Sequence, residues 1–443
     1  MHLTRIGLLV VALTVAVAVA ASAADIYVSI ARGKNKAGDG SLGNPYKEIG
    51  YALGKAQPGD VLKIAEGYYP GEAGSAHWNV EVNNLKLLGG YSDDFTERDP
   101  FTRVTLLAYD SSPENTTKRV PGPELEATKD SRSQLAAGIT DIVIDGFTID
   151  GGPRNSYLDE PGNPSLNTDK TPNDPLIFVT LEKGVGIIRN CTLLNPGVSP
   201  CLIAQARPGA KFEIYNNLFV NSVHHHVDLT CKSDKDGNRA DFDVHHNTFL
   251  FSWKTTSGGS GVYCRPYTNV QAHHNILAFG DDAAVQNSFY ETRKDARGIP
   301  TTGLANEHVS MDHNLLYMWQ RGLYGWVLKG QSGMLYTTRL GDLEDTSLAS
   351  AAGNLIENPT VEYDQEWMTR FVNRSDGASG QVTMDLLNQF RELLGLPLVA
   401  NEGKNKYGYC CRYPLAEVGK FRSPGCEQPQ GEEAGASLEV AAP

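Results

Sequence analysis

Several groups of side chains in the 443-residue sequence carry chemistry. Lys232 stands in Cys231-Lys232-Ser233, and Arg265 in Cys264-Arg265-Pro266. His224, His225 and His226 run together just before Asp228, and Asp281 and Asp282 are adjacent. A lysine one strand away from an arginine suits an elimination. Adjacent strands lie about 4.8 Å apart, and a cation that close lowers the lysine pKa and favours its neutral, basic form. β-Elimination from a uronate needs a base for the proton beside the carboxylate, a cation for that carboxylate, and help for the leaving oxygen. His226 competes with Lys232 as the base, and the His224–His226 turn could also converge with Asp228 on a metal. Asp281 and Asp282 could serve as hydrolase acid and base, as calcium ligands, or only as a solvated turn. The plain alternative for Lys232 and Arg265 is a pair of solvated cations balancing Asp228, Asp234 and Asp236.

Strands must hold these groups. Segments beginning at Cys201, Val227, Val262, Val285 and Tyr324 align as short β-branched and aromatic runs. Alternation turns Val227, Leu229, Cys231, Val262 and Cys264 inward. It turns Asp228, Thr230, Lys232, Tyr263, Arg265, Gln286, Ser288 and Tyr290 outward. This alignment places Lys232 and Arg265 in one column. A mixed polar and aromatic ribbon suits a sugar chain, so Asp228, Thr230, Tyr263, Gln286, Ser288, Tyr290, His224 and His225 are candidate substrate contacts.

A repeated phrase positions the strands. It centres on Gly146, Asn190, Asn217, Asn247, Asn275 and Asn314, at steps of 44, 27, 30, 28 and 39 residues. Such a period marks a stacked array, and the local pattern is that of strands and turns, not helices. The expected fold is all-β: a right-handed parallel β-helix over 25–380. An Asn at each tight turn can bond to its counterpart one rung away. His246, His274 and His313 fall in one column beside the Asn residues, and His245 and His273 in another. A short helix over Tyr46 to Ala56, then a strand over Val61 to Ala65, fits a cap at the open end. Apolar spacing predicts a helix over Thr383 to Leu394 within a capping segment at 381–426. The stretch 427–443 has the composition of a disordered tail.

Arg5, the apolar run from Ile6 to Ala21 and the small residues Ala21-Ser22-Ala23 read as a secretory signal peptide over 1–24. The formal charge of −13 argues against a nucleic-acid partner, and no later segment is apolar enough to span a bilayer. Seven cysteines are present. Cys231 and Cys264, read as neighbours in one inward column, could bridge or stay reduced. One bridge is expected among Cys410, Cys411 and Cys426.

The opening Ile26-Tyr27-Val28-Ser29, Gly38-Asp39-Gly40-Ser41, Asn44-Pro45, Pro58-Gly59-Asp60, Gly67-Tyr68-Tyr69 and Gly89-Gly90-Tyr91-Ser92 resembles the start of pectate-lyase-like right-handed β-helix proteins. With the Asn repeat, this resemblance covers roughly 25 to 330. It implies a fold shared by lyases, hydrolases, epimerases and non-catalytic surface proteins. The Lys232 and Arg265 phrases resemble those of the alginate lyase and chondroitinase B family. That resemblance implies Lys232 as base and Arg265 as acid. The acidic calcium ligands of that family have no matching run just before Lys232. The expected function is cleavage of an extracellular uronate polysaccharide by β-elimination. The alternatives are a non-catalytic glycan-binding protein and a hydrolase or epimerase.

Overall fold

The computed structural model describes residues 23–70, 77–108, 124–128, 138–151, 174–194, 196, 199–222, 224–232, 238–252, 259–280, 282–287, 291–294, 300–303, 305–319, 321–327, 334–346 and 348–357. Within these, strands stack in three parallel ladders. One coil shows the plan. Lys211–Tyr215 lies on a first face, Leu218–Ser222 on a second and Val227–Cys231 on a third. The next coil repeats it with Ala240–His245, Thr248–Ser252 and Val262–Cys264. Each strand pairs in parallel with its counterpart one coil later. The described residues are thus mostly strand with few helices, in parallel sheets, consistent with the expected all-β parallel β-helix.

The core is the inside of the coils. Val227, Leu229, Val262 and Cys264 are fully buried, as alternation requires. Like residues stack along the axis: Phe212 on Phe242 at 5.6 Å, and Phe219 on Phe249 at 4.7 Å. A lone coil could not bury its apolar face, so stacking supplies the core.

The corner between the first and second faces holds two polar columns. In one, the Asn217 side-chain amide donates to Asn247 Oδ1 at 3.0 Å, Asn247 to Asn275 at 3.1 Å, Asn275 to Asn314 at 3.0 Å and Asn314 to Asn354 at 3.1 Å. Each amide also donates to a main-chain carbonyl, as Asn247 does to Ile214 at 2.8 Å. The expected Asn column is real, with two corrections. Its N-terminal member is Cys191, whose N–H donates to Asn217 Oδ1 at 3.0 Å, and Asn354 extends it by a rung. Asn190 falls one place earlier, bonded to Asn216. That neighbouring position has left-handed backbone at six successive corners: φ is 85° at Gly146, 54° at Asn190, 53° at Asn216, 52° at His246 and His274, and 53° at His313. Gly and Asn tolerate this region. The histidines do so while their rings stack, His246 on His274 at 5.1 Å and His274 on His313 at 5.0 Å. The expected second column of His245 and His273 stacks too, at 5.0 Å.

The N-terminal helix is shorter than predicted, Ile49–Leu53, and buries Ile49, Ala52 and Leu53. The strand Val61–Ala65 has the predicted bounds. Near the other end, Met334–Thr337 runs antiparallel to Gly322–Val327 and covers that strand's edge. The predicted leader up to residue 22, the helix over Thr383 to Leu394, Cys410, Cys411, Cys426 and the tail lie outside the described residues. No described helix is long and apolar enough to cross a membrane.

Candidate functional site

The third face carries the candidate chemistry. Its register sets Ile203, Asp228, Tyr263 and Gln286 in one column. Of the outward ribbon read from the sequence, Asp228, Tyr263 and Gln286 share this column, and much of it is covered. Asp228 and Gln286 are buried, and Tyr263 is half-buried.

Lys232 and Arg265 do not share a column. Val227 pairs with Val262 and Leu229 with Cys264, so Cys264 is opposite Leu229 and not Cys231. Matching the two Cys-cation phrases shifts the register by two residues, because the strand Val262–Cys264 is shorter than Val227–Cys231. The same register takes Cys231 and Cys264 out of a shared column. Cys191, Cys201, Cys231 and Cys264 are buried thiols with no disulfide among them.

Arg265 instead forms a fork with Asp228. Its Nε donates to Oδ1 and its second terminal nitrogen to Oδ2, both at 2.6 Å. Burial pulls the guanidinium pKa down, but the Asp228 hydrogen bonds and charge outweigh it and hold it above the usual value. Thr230 Oγ1 donates to Asp228 Oδ1 at 3.2 Å. The Arg265 guanidinium also lies 5.0 Å from the centre of the Tyr263 ring.

Tyr263 in turn stacks on His225, with ring centres 3.9 Å apart. His225 Nδ1 lies 2.6 Å from Ser260 Oγ, and its main-chain N–H donates to His224 Nδ1 at 2.8 Å. Burial pushes the His224 imidazole down to about 4; Asp228 opposes this and Arg265 adds to it. His224 and His225 thus join Asp228, Tyr263 and Arg265 in one cluster, as the sequence suggested.

His226 does not join it. Its side chain is fully buried against Phe219 and Phe249, with ring centres at 6.2 and 5.8 Å, and Nδ1 is 3.8 Å from Cys201 Sγ. Burial alone pushes it down to about 3. A polymer on the outer face cannot reach it, so the expectation of a catalytic His226 fails on access. The turn tucks this third histidine into the core, while His224 keeps partial exposure and His225 is covered by Tyr263.

The neighbour of Lys232 is a residue the sequence reading missed. Ala206 pairs with Cys231, and the Lys232 N–H donates to the Ala206 carbonyl at 2.8 Å. Arg207 is therefore the residue beside Lys232, and Glu182 is beside Arg207, with Arg207 Nε 3.3 Å from a Glu182 oxygen. The Lys232 pKa is lowered by burial first and by Arg207 second, against the pull of Glu182. The two-cation arrangement sought at Arg265 occurs at Arg207. The available signal was the position of Arg207, one residue past a strand equivalent to that ending at Cys231.

Asp281, Ser288 and Tyr290 lie outside the described residues. Asp282 is buried, 4.0 Å from Arg321 Nε, so the solvated-turn alternative does not describe it. It belongs to no cluster of metal-ligand type among the described residues. A groove of about 480 Å³ lies elsewhere, on the first face, lined by residues that include Lys211, Asp243, Gln271 and Glu307. Its lysine already has carboxylate partners, Glu213 at 2.9 Å and the lining Asp243 at 3.8 Å. The third-face cluster has the better match of chemistry.

No protein-family model matches the sequence, and no curated protein matches it. Two solved structures are similar in part. One is described as the complex structure of XylC with xylose: 12% identity, 68% of each chain covered, TM-score 0.31. The other is the crystal structure of pectate lyase Pel9A: 11% identity, 94% of this chain and 95% of that one covered, TM-score 0.35.

Proposed function

We propose that this chain is a secreted right-handed parallel β-helix that cleaves a uronate-containing polysaccharide by β-elimination, with Lys232 as the base. The carrying observation is the Glu182, Arg207, Lys232 column on the third face. It sets a lysine of lowered pKa beside a guanidinium. Export is read from the leader sequence, and handedness from the general rule for parallel crossovers.

In this reading Arg207 pairs with the substrate carboxylate and stabilises the negative charge that develops when the adjacent carbon loses its proton. Neutral Lys232 takes that proton. The electrons form the new carbon–carbon double bond, and the bond to the glycosidic oxygen breaks. The lysinium then supplies the proton that the departing oxygen requires. Arg265, held charged by Asp228, acts as a fixed cation for a neighbouring sugar and not as the acid. His224, His225, Thr230 and Tyr263 shape its surroundings.

The test is incubation of the mature protein with alginate, pectate and chondroitin, with and without calcium, following ultraviolet absorbance of the unsaturated product. Product should form on one of them, and Lys232→Ala should abolish it with folding unchanged. Absence of unsaturated product on all three polymers overturns the reading. New reducing ends without a double bond would mean a hydrolase. Glycan binding without cleavage, kept by Lys232→Ala and Arg265→Ala, would mean a binding protein.

A further inference from the structure

Three coils N-terminal to Asp228, the third face holds a separate group of ligand-type side chains. His77–Val80 pairs in parallel with Glu124–Ala127, His77 opposite Glu124 and Asn79 opposite Glu126. Leu125, Ala127, Trp78 and Val80 fill the core, so alternation turns His77, Glu124 and Glu126 to the outer side. His77 Nε2 lies 3.4 Å from one oxygen of Glu124 and 3.1 Å from one of Glu126. A ligand atom from each of the three lies within 4.8 Å of the other two.

Burial makes this group unusual. Glu124 is 0% exposed and Glu126 7%. Glu126 Oε1 accepts no hydrogen bond among the described residues, although it is shut away from water. A buried carboxylate calls for compensation at each oxygen. His77 Nε2 lies near one oxygen of each of the two carboxylates. A divalent cation would match both charges and engage the open oxygen.

We propose that His77, Glu124 and Glu126 form a binding site for a divalent transition-metal ion of the zinc class. The ligands would be His77 Nε2 and an oxygen of each glutamate. Imidazole with carboxylates suits zinc, whereas calcium takes six to eight oxygens. Three protein ligands leave a tetrahedral position open. The His77 side chain, 28% exposed, marks the side from which an ion would enter. The spacing on the chain follows from the fold: Glu-Leu-Glu on one strand brings two carboxylates to one side, and the previous coil brings the imidazole between them.

This site is independent of the lyase reading, and its test does not use activity. The purified mature protein is stripped with a chelator and titrated with zinc by calorimetry, then loaded with cobalt(II) for its visible spectrum. One equivalent should bind with nitrogen and oxygen ligation, giving d–d bands without the thiolate charge-transfer band of cysteine ligation. Glu126→Gln, close in shape, should weaken that equivalent by at least about 100-fold, the upper end of losses seen when mere supporting partners are removed. His77→Asn, at the more exposed position, should do the same and serves if Glu126→Gln fails to fold. Calcium at equal concentration should not displace the metal. Unchanged affinity in both variants, thiolate ligation of the only ion bound, ready displacement by calcium, or no saturable binding would each overturn the proposal.

Discussion

The corner between the first two faces and the outer side of the third face are built from similar polar residues and behave differently. At the corner, each Asn is matched to an identical Asn one coil away. Asn247 accepts from Asn217 and donates to Asn275 and to the Ile214 carbonyl. On the third face no residue type repeats along the column: Ile203, Asp228, Tyr263 and Gln286 follow one another. Repetition gives the corner a complete hydrogen-bond inventory. Its absence on the third face leaves charges whose partners are particular, such as Arg265 for Asp228 and Glu182 for Arg207. One region specifies the stack, and the other is where the stack departs from self-similarity. Sites of recognition and catalysis are expected in the second kind of region.

Substitutions can break this contrast, the strongest first. Asn247→Ala should lower stability by about 2–6 kcal/mol, because it strands the Asn217 N–H and the Ile214 carbonyl in the core at about 1–3 kcal/mol each. Chemical denaturation would measure it, and a loss below about 1 kcal/mol would mean that the corner does not organise the coils. Arg265→Ala should cost about 3 kcal/mol. That is the low end for removing one partner of a buried ion pair, since Arg265 is partly exposed. Arg265→Ala combined with Asp228→Ala should recover part of that loss, which a double-mutant cycle would read.

His226 gives an intermediate, pH-dependent effect. Its folded pKa of about 3 lies below the ordinary histidine value of 6.5. As pH falls through 6.5 the unfolded chain binds a proton that the folded chain refuses. Stability is therefore full above that value and declines toward pH 3, by a few kcal/mol at most for this group. His226→Leu should flatten that decline while changing stability at neutral pH by about 1 kcal/mol or less, as expected when a buried polar group is replaced by an apolar one. Thermal midpoints across pH 4–8 would check it. Equal acid sensitivity in the variant would assign the decline to other groups, His224 and His246 among them, which burial also holds near 4. The smallest change should be Thr230→Val. It removes a long hydrogen bond at a partly exposed position and should cost below about 1 kcal/mol.

The sequence revealed the stack because the stack is periodic. Alternation located the inward Val227, Leu229, Val262 and Cys264, and the recurring Asn located the corner. The register at Asn190 was off by one because in that coil the Asn stands in the left-handed position and Cys191 takes the ladder position. Only the left-handed backbone separates Asn190 from the Asn217 column. The charged site was harder to read. Arg265 and Lys232 looked equivalent because each follows a cysteine, and strand length is not visible in a three-residue phrase. The fork to Asp228 and the placement of Arg207 depend on where each strand stops. The His77, Glu124, Glu126 group was invisible for another reason: the coil that joins it spans 47 residues, from 77 to 124, with no repeated phrase to mark it.

The Asn ladder has a consequence for how such a chain can change. Its successive members are 30, 28, 39 and 40 residues apart, yet every amide-to-amide distance is 3.0 or 3.1 Å. The corner acts as a gauge that is blind to the length of chain between its marks. Segments that leave the coil can lengthen, shorten or be exchanged without moving the rungs that bracket them. New specificity can then be acquired by rewriting loops on one side of an unchanging spine.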